Sequence, residues 1–298
     1  MDEHELAWAA GFFDGDGWAA LVGGGQGRRR RPMAQINQAD ANGVPEVLTR
    51  FRDAVGVGRV VGPKIEDGRQ DIYRWVASSH ADVRQTGELI GPWLSSEKRV
   101  QFADTAGLTF EHRPGSTPAW AAGFFDAEGS TCLSDHRSHP GFSAIEATIT
   151  QGSVASVPQE LERFKELVGV GEIYGPYEQS GANELVYRWR VHRLDAVRQV
   201  LHLLLPWLGD VKRIQALNAI VTMDRQPSLP RGRPEWGSHK TRCINGHEYA
   251  TGRIRAYVSR GVGVQRRPSK QCLVCTREQA RVRNHAMNNG HGPVGRQR

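Results

Sequence analysis

The alternation of apolar and polar positions divides the chain into two runs of elements in the same order. A dense apolar stretch from Glu3 to Phe13 predicts a short helix that runs into an Asp/Gly turn. Period-two alternation predicts strands over Trp18–Val22 and Met33–Gln38, and a helix follows over Pro45–Val55, opened by proline and stopped by Gly56. Strands at Arg59–Val61 and Asp71–Ala77 precede a helix near Ala81–Ile90, and a last helix begins after Pro92-Trp93-Leu94. The series then recurs as helix Pro118–Phe125, strands Thr131–Leu133 and Ser143–Gln151, helix Pro158–Val168, strands Glu172–Tyr174 and Leu185–Val191, helix Leu194–Leu204, and a helix after Pro206-Trp207-Leu208. The pattern αββαββαα predicts an α+β fold with antiparallel sheets.

The recurrence is also literal. Ala7-Trp-Ala-Ala-Gly-Phe-Phe-Asp-Gly-Asp-Gly17 returns as Ala119-Trp-Ala-Ala-Gly-Phe-Phe-Asp-Ala-Glu-Gly129. Gly56-Val-Gly58 with Gly62-Pro63 returns as Gly169-Val-Gly171 with Gly175-Pro176, Tyr73-Arg-Trp75 as Tyr187-Arg-Trp189, and Lys98-Arg99 as Lys212-Arg213. Blocks in register imply a duplicated unit. The domain expectation is a first half over 1–112, a linker at 113–118, a second half over 119–224, a linker at 225–238 and a small module over 239–298. Ala9, Ala10 and Gly11, like Ala121, Ala122 and Gly123, are small enough for two helices to pack face to face along a pseudo-twofold axis.

Charge changes the picture because of where it sits. The 298 residues carry a net +7, yet 1–112 and 113–224 are each three units negative, while 225–298 hold sixteen basic and three acidic side chains. The acidic start lacks the pattern of a secretory signal, and the apolar run Leu201–Leu208 is far short of the ~20 residues a bilayer span needs, so no membrane partner is expected. Three of the four cysteines cluster at metal-ligand spacing near the end of the sequence, which points to a reducing, cytoplasmic setting.

Each repeated helix ends in two acids, Asp14 and Asp16 or Asp126 and Glu128. A helix C-terminus is partially negative, so acids there are disfavoured by a few tenths to ~1 kcal/mol each and call for a positive partner. Carboxylate and carbonyl oxygens suit Mg²⁺, which makes Asp16, Glu128 and the adjoining Gly15 and Ala127 the candidate positions. For Asp14 and Asp126 the simpler expectation is that they cap the following turn.

These paired motifs resemble those of the LAGLIDADG homing endonucleases in their single-chain, two-motif form, over residues 1–224. The resemblance implies a saddle of two four-stranded antiparallel sheets laid along double-stranded DNA, with the motif helices at the interface between halves. It implies a monomer whose Asp16 and Glu128 bind divalent metal, Gln38 and Gln151 order water, and Lys98 and Lys212 stabilise transition-state charge. The implied reaction is a double-strand break at a long non-palindromic site with short 3′ overhangs. The family often has a further basic residue just after the glutamine, and neither half supplies one here. The alternative is a binding protein of the same fold whose cleavage has lapsed, either an RNA-splicing maturase or a DNA-binding regulator.

A two-stranded ribbon fits the major groove, and alternation nominates Gln35, Asn37, Arg74, Arg188 and Arg190 for it, opposite the aromatic Tyr73, Trp75, Tyr187 and Trp189. Glu146, Thr148 and Thr150 fall on the same face of the second half, where an ordinary solvated sheet face is the competing expectation. Arg28, Arg29, Arg30 and Arg31, in a glycine-rich connection, are candidate phosphate contacts. In the basic C-terminal segment, Cys243-x3-His247 and Cys272-x2-Cys275 have the ligand types of a structural Zn²⁺ site, and the following stretch bears Arg277, Arg281 and Arg283 as candidate DNA-backbone contacts. Cys132, on a strand, is expected to be a buried apolar residue.

Overall fold

The computed structural model describes residues 2–23, 29–40, 43–65, 70–110, 116–135, 142–154, 156–178, 185–227, 247, 254–258, 268–277 and 281. The chain forms two compact units, Met1–Pro227 and Ser228–Arg298.

The first unit is the duplicated one. Its first half runs α1 (Glu3–Asp16), β1 (Gly17–Val22), β2 (Arg31–Ala39), α2 (Glu46–Val55), β3 (Arg59–Lys64), β4 (Ile72–Ala77), α3 (His80–Ile90) and α4 (Ser96–Ala106). The second half repeats it as α5 (Pro118–Glu128), β5 (Gly129–Asp135), β6 (Ser143–Ser153), α6 (Gln159–Val168), β7 (Glu172–Glu178), β8 (Leu185–Val191), α7 (Leu194–Leu204) and α8 (Asp210–Arg225). Each half builds one four-stranded antiparallel sheet, in the orders β1-β2-β4-β3 and β5-β6-β8-β7. Among the described residues, no helix is long and apolar enough to cross a membrane.

Sequence periodicity explains the layers. In β4, Tyr73, Trp75 and Ala77 are buried while Ile72, Arg74 and Val76 lie on the other face; β8 repeats this with Tyr187, Trp189 and Val191 inside and Arg188 and Arg190 exposed. On α2, Leu48, Phe51 and Val55 form one buried stripe, and the helix stops at Gly56, whose φ of 69° is left-handed. Phe51 meets Trp75 edge-on, as Phe164 meets Trp189, so each helix is keyed to its sheet by the same aromatic pair. Pro45 and Pro158 stand at the N-cap positions just ahead of the first helical turn. Strands β3 and β7 extend beyond Val61 and Tyr174 through a shift of register.

Two expectations are corrected. The motif helices run through both acids, to Asp16 and Glu128, and end only at Gly17 and Gly129, whose N–H groups donate to the carbonyls of Phe13 and Phe125. Asp14 and Asp126 therefore occupy the last helical turn, where tertiary donors hold them, Asp126 through Oδ2 alone. Cys132 is exposed, because strand alternation puts it on the outer face opposite Glu146 while Thr131 turns inward. Partial burial and the Glu146 carboxylate push its thiol up.

The halves meet along α1 and α5. A Cβ built on Gly11 would lie 1.9 Å from the Trp120 carbonyl oxygen, and one built on Gly123 would lie 1.9 Å from that of Trp8. Backbone thus touches backbone twice, reciprocally, and both helices are buried nearly all round. Gly11→Ala should lower unfolding stability by about 3 kcal/mol or more, the upper end of over-packing costs, since the obstruction is main chain and cannot rotate away. Gly107→Ala, where a Cβ meets nothing within 4 Å but φ is 66°, should cost only about 1–2 kcal/mol. Urea denaturation of the two variants measures the contrast, and equal losses would refute the close-approach argument.

Candidate functional site

Because the glycine contact fixes the register of α1 against α5, their C-terminal ends arrive together. A Cβ on Gly15 would fall 2.4 Å from the Ala127 Cβ and 3.0 Å from the Glu128 Cγ, so the residues just before each final acid face one another. Asp16 and Glu128 become neighbours in a largely water-excluded place. Burial, then the nearby Glu128 charge, pushes the Asp16 carboxyl up to about 7, and burial raises Glu128 as well.

Four side chains oppose that rise. Gln38 Nε2 donates to Asp16 Oδ2, and Gln151 hydrogen-bonds Glu128. Lys98 Nζ donates to the Gly17 carbonyl at 2.8 Å and Lys212 Nζ to the Gly129 carbonyl at 2.6 Å, one residue beyond each acid. Both ammonium charges favour ionised Asp16 and Glu128, and burial holds Lys212 itself below the usual lysine range. The structure therefore gathers Asp16, Glu128, Gln38, Gln151, Lys98, Lys212, Gly15 and Ala127 at one place, from two motif helices, two second strands and the first turns of α4 and α8.

The companion acids have a different job from turn capping. Asp14 accepts from the Ser95 N–H at 3.0 Å and from Trp120 Nε1 of the other half at 2.8 Å. Asp126 mirrors it, accepting from the Gly209 N–H and from Trp8 Nε1, both at 2.8 Å. Arg50 lies 3.9 Å over the Trp8 ring and donates to the Trp207 carbonyl; Arg163 lies 3.7 Å over the Trp120 ring and donates to the Trp93 carbonyl. Sequence reasoning missed these ties. Their signal was present, since Trp8/Trp120, Arg50/Arg163 and Trp93/Trp207 all recur within the repeated blocks.

On the outer sheet faces, Arg74, Arg188 and Arg190 stand opposite the buried aromatics as expected. Arg188 Nε donates to Thr150 Oγ1 at 3.2 Å, and Arg190 pairs with Glu146. Gln35 is largely covered, and its amide donates to Asn37 Oδ1 at 2.6 Å. Arg29 and Arg30 precede β2 and Arg31 opens it, whereas Arg28 lies outside the described residues.

In the second unit, β9 (Ile254–Val258) and β10 (Pro268–Cys272) form an antiparallel pair, and a short helical turn follows Cys272. His247, Cys272 and Cys275 place their ligand atoms within 4.8 Å of one another, with His247 Nδ1 at 3.2 Å from the Cys275 sulfur. Arg277 and Arg281 are exposed, while Cys243 and Arg283 lie outside the described residues.

No family model matches the sequence. The fold is that of solved LAGLIDADG homing endonucleases. The LAGLIDADG meganuclease I-AabMI, bound to uncleaved DNA, aligns over 74% of this chain and 90% of its own at 15% identity, with a TM-score of 0.57. The LAGLIDADG meganuclease I-CpaMI, also bound to uncleaved DNA, aligns over 75% and 91% at 12% identity, with a TM-score of 0.51.

The buried companion acids carry a pH signature. Burial, outweighing the hydrogen bonds from Gly209 and Trp8, raises Asp126 from 3.8 to about 6. An acid whose folded value is raised costs nothing below its unfolded value, and the full penalty is present above the folded one. Wild type should therefore lose about 2–3 kcal/mol relative to Asp126→Asn as pH rises from 4 to 7. Urea unfolding of both proteins across that window reads the difference; a constant gap would show that folding leaves the Asp126 pKa unshifted.

Proposed function

We propose that this chain is a divalent-metal-dependent endonuclease that makes a double-strand break at a specific site in double-stranded DNA. The observation that supports this reading best is the pair of acids, Asp16 and Glu128, held side by side at the meeting of two helix C-termini. Like charges in that setting repel one another and are poorly solvated, so a fold gains nothing from retaining them unless a cation joins them.

The donor set fits a hard divalent cation such as Mg²⁺: two carboxylates, with the carbonyls of Gly15 and Ala127 adjoining. Held there, such an ion would supply charge neutralisation at the scissile phosphate and would lower the pKa of a coordinated water. The chain's own residues do the rest. Gln38 and Gln151 fix the orientation of the carboxylates and present their remaining polar atoms to water beside them. Lys98 and Lys212, anchored on glycine carbonyls, supply fixed positive charge where the phosphate gains negative charge. Sheet arginines and the residues from 29 to 31 face the duplex, and the unlike outer faces of the two sheets suit a non-palindromic target. A binding protein whose cleavage had lapsed is disfavoured by the intact set of two acids, two glutamines and two lysines.

Selecting cleaved sites from a randomised duplex library with purified protein and Mg²⁺ identifies the target. On that target, Asp16→Asn or Glu128→Gln should lower double-strand cleavage by ~10³-fold or more while leaving DNA affinity within about threefold, because each removes a group used in the transition state rather than in binding. Full cleavage by either variant would refute the assigned site.

For the second unit we infer a structural Zn²⁺ held by His247, Cys272 and Cys275 with Cys243 as the fourth ligand, since thiolates and imidazole are zinc's usual tetrahedral donors. Metal analysis should find about one zinc per chain, falling to about zero in Cys275→Ala, with accelerated proteolysis confined to residues 228–298. A variant that keeps its zinc would overturn the assignment.

A further inference from the structure

The ties between the halves end on the segments that carry the lysines. Trp93 and Ser95 lie in the turn between α3 and α4, and Lys98 follows in the first turn of α4. The Trp93 carbonyl accepts from Arg163 Nη1 of the second half at 2.6 Å. The Ser95 N–H is held by Asp14, which is itself held by the second half's Trp120. In mirror image, the Trp207 carbonyl accepts from Arg50 Nη1 of the first half at 2.7 Å, and the Gly209 N–H is held by Asp126, itself held by the first half's Trp8. Lys212 follows three residues later, in the first turn of α8.

We propose that Arg163 and Arg50 are positioning residues that act across the interface, Arg163 setting Lys98 and Arg50 setting Lys212. Each arginine is braced for this. Arg163 lies over Trp120, with its Nε donating to Ser116 Oγ; Arg50 lies over Trp8, with a two-point pair to Glu5. Their side chains are only 19% and 16% exposed, which leaves little surface for a DNA phosphate. Within its own half, Arg99 holds the carbonyls of Gly91 and Pro92, and Arg213 holds that of Leu208. Those local anchors keep each turn folded, and the arginine from the other half fixes the carbonyl of the tryptophan within it, five residues before the lysine. Coupling of this kind ties each lysine's placement to correct docking of the two halves.

The cleavage arm of the test rests on the proposed endonuclease activity; a second arm does not. Single-turnover cleavage is followed on a duplex labelled separately on each strand, with Lys98→Met and Lys212→Met establishing which strand each lysine serves. Arg163→Met should slow the Lys98 strand by ~10- to 100-fold, the penalty of a catalytic group misplaced by about 1 Å, and leave the other strand within about twofold. Arg50→Met should show the opposite bias, and Arg163→Lys should recover part of the loss. DNA affinity should be unchanged throughout. Equal slowing of both strands would assign the arginines to general stability and overturn the proposal.

The chain has only six lysines, so ¹³Cε-lysine NMR resolves them individually without any substrate. Arg163→Met should shift the Lys98 signal and spare Lys212, with the converse for Arg50→Met; signals of both lysines moving together, or neither moving, would also overturn it. If wild type cuts no duplex, the endonuclease reading fails while the NMR result still decides this one.

Discussion

Everything at the candidate site depends on two glycines that let the backbones of α1 and α5 touch. With no Cβ at Gly11 or Gly123, each helix seats a carbonyl of the other where a side chain would otherwise stand. That contact fixes helix register within a fraction of a residue, and register decides which groups meet one turn further on. Gly15 then falls against Ala127, and Asp16 beside Glu128, with no choice left to side-chain rotation.

The acids are expensive in that position, and the magnitudes show which effect prevails. Hydrogen bonds and two lysines favour their ionised forms, yet burial together with mutual repulsion outweighs them and leaves Asp16 at about 7. A site at equilibrium for stability alone would have neutralised or replaced one of the pair. The companion acids differ in kind. Asp14 and Asp126 are also raised to about 6, but their hydrogen bonds go to a main-chain N–H of their own half and to the indole N–H of a tryptophan of the other half, which ties the halves together. Each hydrogen bond to a charged group is worth about 1.5–3 kcal/mol, so the same acids that cost solvation also weld the interface.

Much of this was legible in the sequence because duplication writes the same message twice. Strand alternation in Tyr73-Arg74-Trp75 and Tyr187-Arg188-Trp189 gave the sheet faces, and small residues at Gly11 and Gly123 gave the packed helices. The misreadings share one cause, which is that local rules cannot see partners distant in sequence. Asp-Gly is a turn former in isolation, but Asp14 finds donors 81 and 106 residues away and stays helical. Cys132 looks apolar by composition, but its strand phase points it outward. The arginine–tryptophan ties were repeated in plain view, yet nothing in a one-dimensional pattern says that Arg50 reaches Trp207.

Charge distinguishes the two units in the proposed DNA-binding role. Residues 1–224 are net acidic, and Arg190 on the outer sheet face is already paired with Glu146. A surface of that kind attracts a polyanion weakly at a distance, so under the proposed function discrimination there rests on short-range fit of individual side chains to base edges. Under the same proposal long-range attraction falls to residues 225–298, whose surplus of thirteen positive charges exceeds the whole chain's net charge. Separating the two tasks has a physical advantage. Counterion release adds affinity equally at every sequence, so keeping it off the reading surface leaves that surface free to be selective.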